Sequence, residues 1–317
     1  MGRVGAIDCG TNSIRLLVAD VTKRDDGSCW LRDVYREMRI VRLGQGVDST
    51  GRLTPEALER TRVALAHYAA MLVRKGAERV RMVATSATRD AENTGDFVAM
   101  VRGTLGTGPE VITGEEEAEL SFTGAVGDLD PGDGPFLVVD LGGGSTELVL
   151  GDWDGVHATV TAAKSVDIGC VRITERCLRS DPPTSAEHED AERFAREVLG
   201  AAFEAVPVAK ARTCVGVAGT MTTLSALAQG LPEYDATATH LSRVSTERIR
   251  EVSDELLSAS HEQRAVNKVI HPGRVDVLGG GALLVRVLAD ELAARAGIGE
   301  LVVSEHDILD GIALSIA

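Results

Sequence analysis

The sequence predicts an α/β protein of two like domains, each a mixed sheet with flanking helices, with a cleft between them. Three observations carry this expectation. First, FLVVDLGGGSTELVLGD (136–152) overlays VGAIDCGTNSIRLLVAD (4–20) at a shift of 132 residues: Asp8 meets Asp140, Gly10 meets Gly142, Ser13 meets Ser145 and Asp20 meets Asp152. Second, the segment order β-β-β-α-β-α-β-α begins again after a Gly/Asp/Pro-rich break, GDLDPGDGP, at 127–135. Third, 317 residues suit about two domains. The expected boundaries are 1–126 and 127–305, with the last segment, 306–317, able to pack back on the first domain.

The elements follow from local pattern. Residues 4–7, 14–18 and 29–40 are rich in apolar and β-branched side chains, and the third alternates through Val34, Arg36, Met38 and Ile40. GQGVDSTGRL supplies turn residues. A helix then starts at Thr54 as N-cap with Pro55 in its first turn, carries Leu58, Leu65 and Leu72 on one stripe, and stops at Gly76. Residues 80–84 form a short strand, 96–105 a helix and 111–112 another strand. Thr113 and Glu116 are spaced as a capping box for the helix that follows. In the second half, 136–140, 147–150 and 156–165 read as strands, 187–203 as a helix, 213–217 as a strand and 221–229 as a helix. Helices between 246 and 295 precede a last strand at 301–303 and a last helix at 307–316. These extra helices predict unequal domains.

Composition narrows the function classes. Hydrophobic residues make up 44% and charged residues 26%, an ordinary globular balance. The net charge of −15 and an aromatic fraction of 3% argue against a nucleic-acid surface, which needs a basic face and usually stacking rings. An anionic ligand then has to be held by a local arrangement of metal, backbone amides and a few arginines. The five cysteines (9, 29, 170, 177 and 214) form no CxxC and read as reduced, mostly buried thiols of a cytoplasmic protein. No charged-then-apolar leader and no apolar run near 18 residues stands in the sequence, and MGRVGA has Ala6 where a myristoylation signal wants Ser or Thr, so no membrane role is expected.

Three glycine-rich turns are the candidate anion cradle. Without Cβ atoms the chain approaches a phosphate closely, and a turn can aim several N–H groups at one ligand. Gly10, Thr11, Asn12 and Ser13 form the first turn; Gly142, Gly143, Gly144, Ser145 and Thr146 form the second. Asp8 and Asp140 end the preceding strands and, with Glu147, are candidate Mg²⁺ ligands, directly or through water. The third turn, VGVAGTMTTLSAL (215–227), places Gly219 and Thr220 where a strand becomes a helix, whose amino terminus favours anions. Arg89 and Arg15 are candidate phosphate ligands because a guanidinium fork matches phosphate oxygens. In GEEEA (114–118) the helix dipole accounts for Glu115 and Glu116; Glu117 is either another such residue or the carboxylate that takes a proton from water. In HPGRVDVLGGGALL (271–284), Arg274 is expected to start a helix, and close helix packing accounts for Gly279–Gly281 better than a fourth phosphate loop does.

Taken in order, DCGTNS, GEEEA, DLGGGSTE and GVAGTMTTL resemble the exopolyphosphatase/guanosine pentaphosphate phosphohydrolase (Ppx/GppA) family over about residues 3–315. The resemblance implies two ribonuclease-H-like domains of the actin, sugar-kinase and Hsp70 superfamily. It implies Mg²⁺ (or Mn²⁺ in its place), Glu117 as general base, the two Asp-x-Gly hairpins with Glu147 holding metal and terminal phosphates, and Arg89 as a phosphate ligand. The implied substrates are inorganic polyphosphate or guanosine pentaphosphate, and dimers occur in the family. Longer members append a helical region that extends a basic channel; a chain reaching Ala317 resembles the short, two-domain form, for which short chains are the favoured substrate. Two other readings share the cradle: an ATP-dependent kinase, and a non-catalytic sensor of guanosine tetraphosphate or ATP.

Overall fold

A computed structural model describes residues 2–25 and 27–317; Met1 of the MGRVGA stretch and Asp26 lie outside the described residues. The chain forms two compact units. The first comprises Met1–Asp128, Trp153–Ala158 and Asp307–Ala317, and the second Leu129–Asp152 and Thr159–His306.

In the first unit, β1 (Gly2–Cys9), β2 (Ser13–Lys23), β3 (Cys29–Ile40), β4 (Arg79–Ala84) and β5 (Glu110–Val111) form a sheet in the order β3-β2-β1-β4-β5. The β1–β2 and β2–β3 pairs are antiparallel, while β4 and β5 join in parallel. Strand alternation sorts the core into two faces. Ile7, Cys9, Leu16 and Val18 meet α2 (Pro55–Lys75) and α4 (Thr94–Leu105). Val4, Ala6, Leu17 and Ala19 meet Leu120 of α5 (Gly114–Val126) and Ile308, Leu309 and Ile312 of the chain's last helix, α13 (Ile308–Ser315). Burying each of those three α13 side chains is worth about 1.5–3 kcal/mol. The punctuation of α2 is as the sequence reads: the Thr54 side chain accepts from Ala57 N, Pro55 opens the helix and Gly76 closes it at φ 73°.

Two one-turn helices, α1 (Val47–Thr50) and α3 (Ser86–Asp90), stand where the sequence showed only turns or nothing. The capping box expected at α5 is half formed. The Thr113 side chain accepts from Glu116 N at 3.1 Å, but the Glu116 carboxylate is drawn to Arg81 at 2.7 Å instead of returning to the N-cap.

The second unit repeats the plan. β6 (Phe136–Leu141), β7 (Thr146–Trp153), β8 (Ala158–Val166), β9 (Thr213–Val217), β10 (Ser242–Ser245) and β11 (Glu300–Val303) lie in the order β10-β11-β9-β6-β7-β8. Reading β8-β7-β6-β9-β11 against β3-β2-β1-β4-β5 gives the same arrangement, with β6–β7 antiparallel and β6–β9–β11 parallel. The sequence did not show β10, a four-residue edge strand. A single large core joins the sheet to α6 (Cys170–Cys177), α7 (Ser185–Ala205), α8 (Ala218–Ala228), α10 (Thr246–Ser258) and α12 (Leu278–Ala296), while α9 (Ala236–Thr239) and α11 (His261–Ala265) are short connectors. Arg274 lies in a 3₁₀ turn, Pro272–Arg274, ahead of α12 rather than at its start. Gly280 and Gly281 lie where a Cβ would come within 2.3 Å of Thr174 and 2.7 Å of Thr220, so this glycine run is a packing surface for α6 and α8. No described helix is long and apolar enough to cross a membrane.

Candidate active site

Parallel pairing brings the chemistry of the first unit together. In register, Cys9 faces Ala84 and Ala84 faces Val111, so the carboxyl ends of β1, β4 and β5 lie side by side. Ligand sites in such sheets form beyond the carboxyl ends of the strands. Asp8 is the penultimate residue of β1 and the 10–13 turn follows it, Arg89 follows β4, and Glu117 follows β5 in the first turns of α5. Glu117 is 7% exposed. Arg89 Nη1 donates to Glu117 Oε2 at 2.6 Å and to the Ile112 carbonyl at 3.1 Å, which fixes the carboxylate over the strand ends.

Within the first turn, Gly10 N donates to Ser13 O at 3.0 Å. The carbonyl of Thr11 is taken by Gly44 N (2.8 Å) and that of Asn12 by Val41 N and Arg42 N (3.0 and 2.8 Å). The Asn12 side-chain Nδ2 is buried and has no hydrogen-bond partner among the described residues. Leaving a buried donor unpaired costs about 1–3 kcal/mol, a cost that an anionic oxygen would remove.

The second turn repeats this construction. Gly142 N donates to Ser145 O at 3.1 Å, the counterpart of the Gly10–Ser13 bond. The amino end of α6 takes the carbonyls: Cys170 N bonds Gly142 O at 3.0 Å, Val171 N and Arg172 N bond Gly143 O at 2.9 and 3.2 Å, and Arg172 Nε bonds Gly144 O at 2.9 Å. A Cβ on Gly169 would stand 2.4 Å from Gly143 C, so this approach depends on glycine. With the carbonyls engaged by α6, the Gly143 and Gly144 amides have no hydrogen-bond partner among the described residues and form an anion-binding concavity. The Thr146 hydroxyl donates to Ile168 O at 2.6 Å, a structural contact.

The third turn adjoins the second because Asp140 pairs in register with Val217. Ala218 holds φ 70°, a left-handed conformation that is costly for a residue with a Cβ. Gly219 and Thr220 follow in the first turn of α8. A Cβ on Gly219 would stand 2.1 Å from Arg274 Cζ, so the guanidinium lies directly against this turn. Burial raises the pKa of the Cys170 thiol, and Arg274 and Thr220 oppose that shift. Arg274 is thus a cation at the anion-binding turns of the second unit that sequence reasoning passed over. The available signal was an arginine after Pro272-Gly273 in a stretch leading into the glycine run.

The duplicated hairpins differ in one chemical respect. The residue paired across the strands from Asp140 is Glu147, whereas the one paired from Asp8 is Arg15. Asp140 and Glu147 are both buried, and Glu147 Oε1 accepts from Ser165 Oγ at 2.7 Å. Two buried carboxylates on neighbouring strands are hard oxygen donors, the set that suits Mg²⁺. Arg15, expected as a phosphate contact, has its donors on carboxylates: Nε and Nη2 reach Asp8 Oδ2 at 2.9 and 2.7 Å, and Nη1 bonds Asp307 Oδ2. Burial pushes the Asp8 carboxyl above its ordinary range, and Arg15 opposes that shift. Burial also opposes charge on Asp307, but Arg15, the Leu309 amide and Arg36 outweigh it and hold that carboxyl below the usual range.

Comparison with known proteins agrees with this architecture. The Ppx/GppA phosphatase family model matches residues 20–316. The chain is 59% identical over 323 aligned residues to Exopolyphosphatase 2 of Mycobacterium tuberculosis, covering 99% of this chain and 98% of that one. Among solved structures, an exopolyphosphatase-like protein is 46% identical with a TM-score of 0.93, covering 100% of this chain and 98% of that one. The Aquifex aeolicus Ppx/GppA protein is 32% identical with a TM-score of 0.79, covering 99% and 97%. The two units carry the duplicated mixed-sheet architecture of the solved Ppx/GppA proteins, and the chain belongs to the Ppx/GppA phosphatase family.

Proposed function

We propose that this chain hydrolyses the terminal phosphoanhydride of inorganic polyphosphate and releases orthophosphate, with short chains preferred and Mg²⁺ as cofactor. The observation that carries the reading is the buried Glu117 carboxylate, held by Arg89 at 2.6 Å over the carboxyl ends of three parallel strands. Glu117 orients a water and takes its proton; such a general base contributes roughly 10²–10⁴-fold. In the second unit the amides of Gly143 and Gly144 and the Gly219-Thr220 turn with Arg274, and in the first the Asn12 Nδ2 donor, bind phosphoryl oxygens; within each unit these donors are already held in place, so little local reorganisation is needed as charge develops. Asp140 and Glu147 in the second unit, and Asp8 in the first, are the carboxylates that would hold Mg²⁺, which when bound neutralises phosphate charge and polarises the phosphoryl oxygen; each set stands within its own unit. A cytoplasmic setting suits five free cysteines, three of them buried.

Polyphosphate is preferred over guanosine pentaphosphate for two reasons. The 59%-identical relative bears the name exopolyphosphatase, and with 3% aromatic residues few rings are available to stack a guanine. The test compares phosphate release from short polyphosphate, long polyphosphate and guanosine pentaphosphate with Mg²⁺, in the unmodified chain and in Glu117→Gln. Release from polyphosphate, lost by about 10²–10⁴-fold in a variant that still binds it, is the expected result. Near-normal turnover by Glu117→Gln removes the base assignment. Turnover only when an acceptor other than water is supplied would identify a kinase, and tight nucleotide binding without turnover a sensor.

A further inference from the structure

The chain's last helix is tied to the Asp8 hairpin by side chains far apart in sequence. Asp307 is the N-cap of α13 and is 3% exposed; its Oδ1 accepts from Leu309 N at 3.0 Å while its Oδ2 accepts from Arg15. Arg15 in turn places two donors on a single oxygen of Asp8, Oδ2, while Oδ1 has no hydrogen-bond partner among the described residues. The other half of the α13 cap, the Asp310 side chain, touches Asp307 only at its backbone N–H and bonds neither Arg15 nor Asp8. Asp310 Oδ2 accepts from Asp307 N at 3.1 Å and from Arg36 at 3.2 Å, and Arg36 also bonds Asp33 at 2.7 Å. α13 is further locked to α5, the helix of Glu117: a Cβ on Gly124 would stand 1.8 Å from Asp307 O, and one on Gly311 1.9 Å from Leu120 O.

We propose that Asp307 and Arg15 are a positioning pair for Asp8. The α13 cap holds the guanidinium, the guanidinium holds Oδ2, and the Asp8 carboxylate is thereby oriented with Oδ1 presented to the divalent cation or its bound water. The inference rests on the reading above that Asp8 faces a cation. A merely structural role predicts that Asp307 and Asp310 are interchangeable in effect, since both cap α13 and both pair with an arginine. A positioning role separates them, because only Asp307 reaches Asp8.

The experiment is a Mn²⁺ titration of the full chain, followed by the paramagnetic resonance of the free ion, with thermal melting measured on the same samples. Residues that orient metal-binding groups typically change affinity by roughly 10–100-fold when removed. Asp307→Asn is expected to weaken Mn²⁺ binding by about that factor, and Asp310→Asn to lower the melting temperature while keeping the unmodified affinity. Equal Mn²⁺ affinity in the two variants, whether unmodified or weakened alike, overturns the proposal. Should Asp307→Asn not fold, Arg15→Lys keeps the charge but loses the fork; unmodified affinity in folded Arg15→Lys overturns the proposal equally. Asp8→Asn separates the two levels of the argument: full Mn²⁺ affinity in that variant, or none in the unmodified chain, overturns the reading of Asp8 as a cation-facing group, and the positioning role with it.

Discussion

At the scale of single residues, the candidate site is built from groups whose local geometry is costly on its own. Ala218, the first residue of α8, holds φ 70° immediately before Gly219 and Thr220. Left-handed backbone at a residue with a Cβ costs of order 1–3 kcal/mol and persists where the surroundings impose it. Glycine there would relieve the strain but add chain entropy to the unfolded state, offsetting roughly 0.5–1 kcal/mol. Ala218→Gly is therefore expected to stabilise the fold by about 0–2.5 kcal/mol and to raise KM more than it lowers kcat, because the turn carrying Gly219 and Thr220 becomes looser. Denaturant unfolding and steady-state kinetics on one preparation check both halves. A clear loss of stability would remove the strain argument. Asn12 has the opposite character: its backbone is not left-handed, but its buried Nδ2 lacks an acceptor among the described residues.

At the scale of elements, the contact between α5 and α13 shows how the fold keeps Glu117 in register. Gly311 and Gly124 let two helix backbones meet closer than any side chain allows, with Leu120 O only 1.9 Å from where a Gly311 Cβ would stand. A backbone neighbour cannot swing aside, so Gly311→Ala has to push the helices apart. Overpacking of this kind costs about 1–3 kcal/mol. The matched control is Gly103 in α4, where an added Cβ meets nothing within 4 Å; Ala at that position should stabilise by about 0.5–1 kcal/mol through helix propensity. Urea denaturation midpoints of opposite sign for the two substitutions are the expected result, and the same sign for both would refute the packing account. These contacts also mark the limit of what the sequence shows. The hairpins were legible because one spacing occurs twice, and α2 because Thr54, Pro55 and Gly76 punctuate a clear stripe. Helices of one or two turns such as α1, α3 and α6 are too short to show periodicity, and β10 becomes a strand only through pairing with β11. The Arg15–Asp307 bond joins positions 292 apart, a separation no local pattern encodes. The Glu116 side chain left its expected capping role for an arginine on β4, which only the folded sheet brings near.

For the whole molecule, the decisive quantity is charge. A net charge of −15 sets a repulsive long-range field for any polyanion, while the turns of each unit attract phosphate only at short range, through Asn12 in the first and through amides and Arg274 in the second. Salt acts differently on the two contributions. The Debye length falls from about 30 Å at 0.01 M to about 8 Å at 0.15 M, which removes the distant repulsion but leaves contacts inside the turns largely intact. A basic protein that binds phosphate chains shows the reverse, since added salt screens its attraction. At fixed free Mg²⁺, kcat/KM for long polyphosphate is therefore expected to hold or rise as monovalent salt increases across that range. The change should be smaller for short chains, which bring fewer charges into the repulsive field. A steep fall with salt for long chains would mean that attraction along an extended basic track governs encounter, and the account of a locally held terminal phosphate would have to be abandoned.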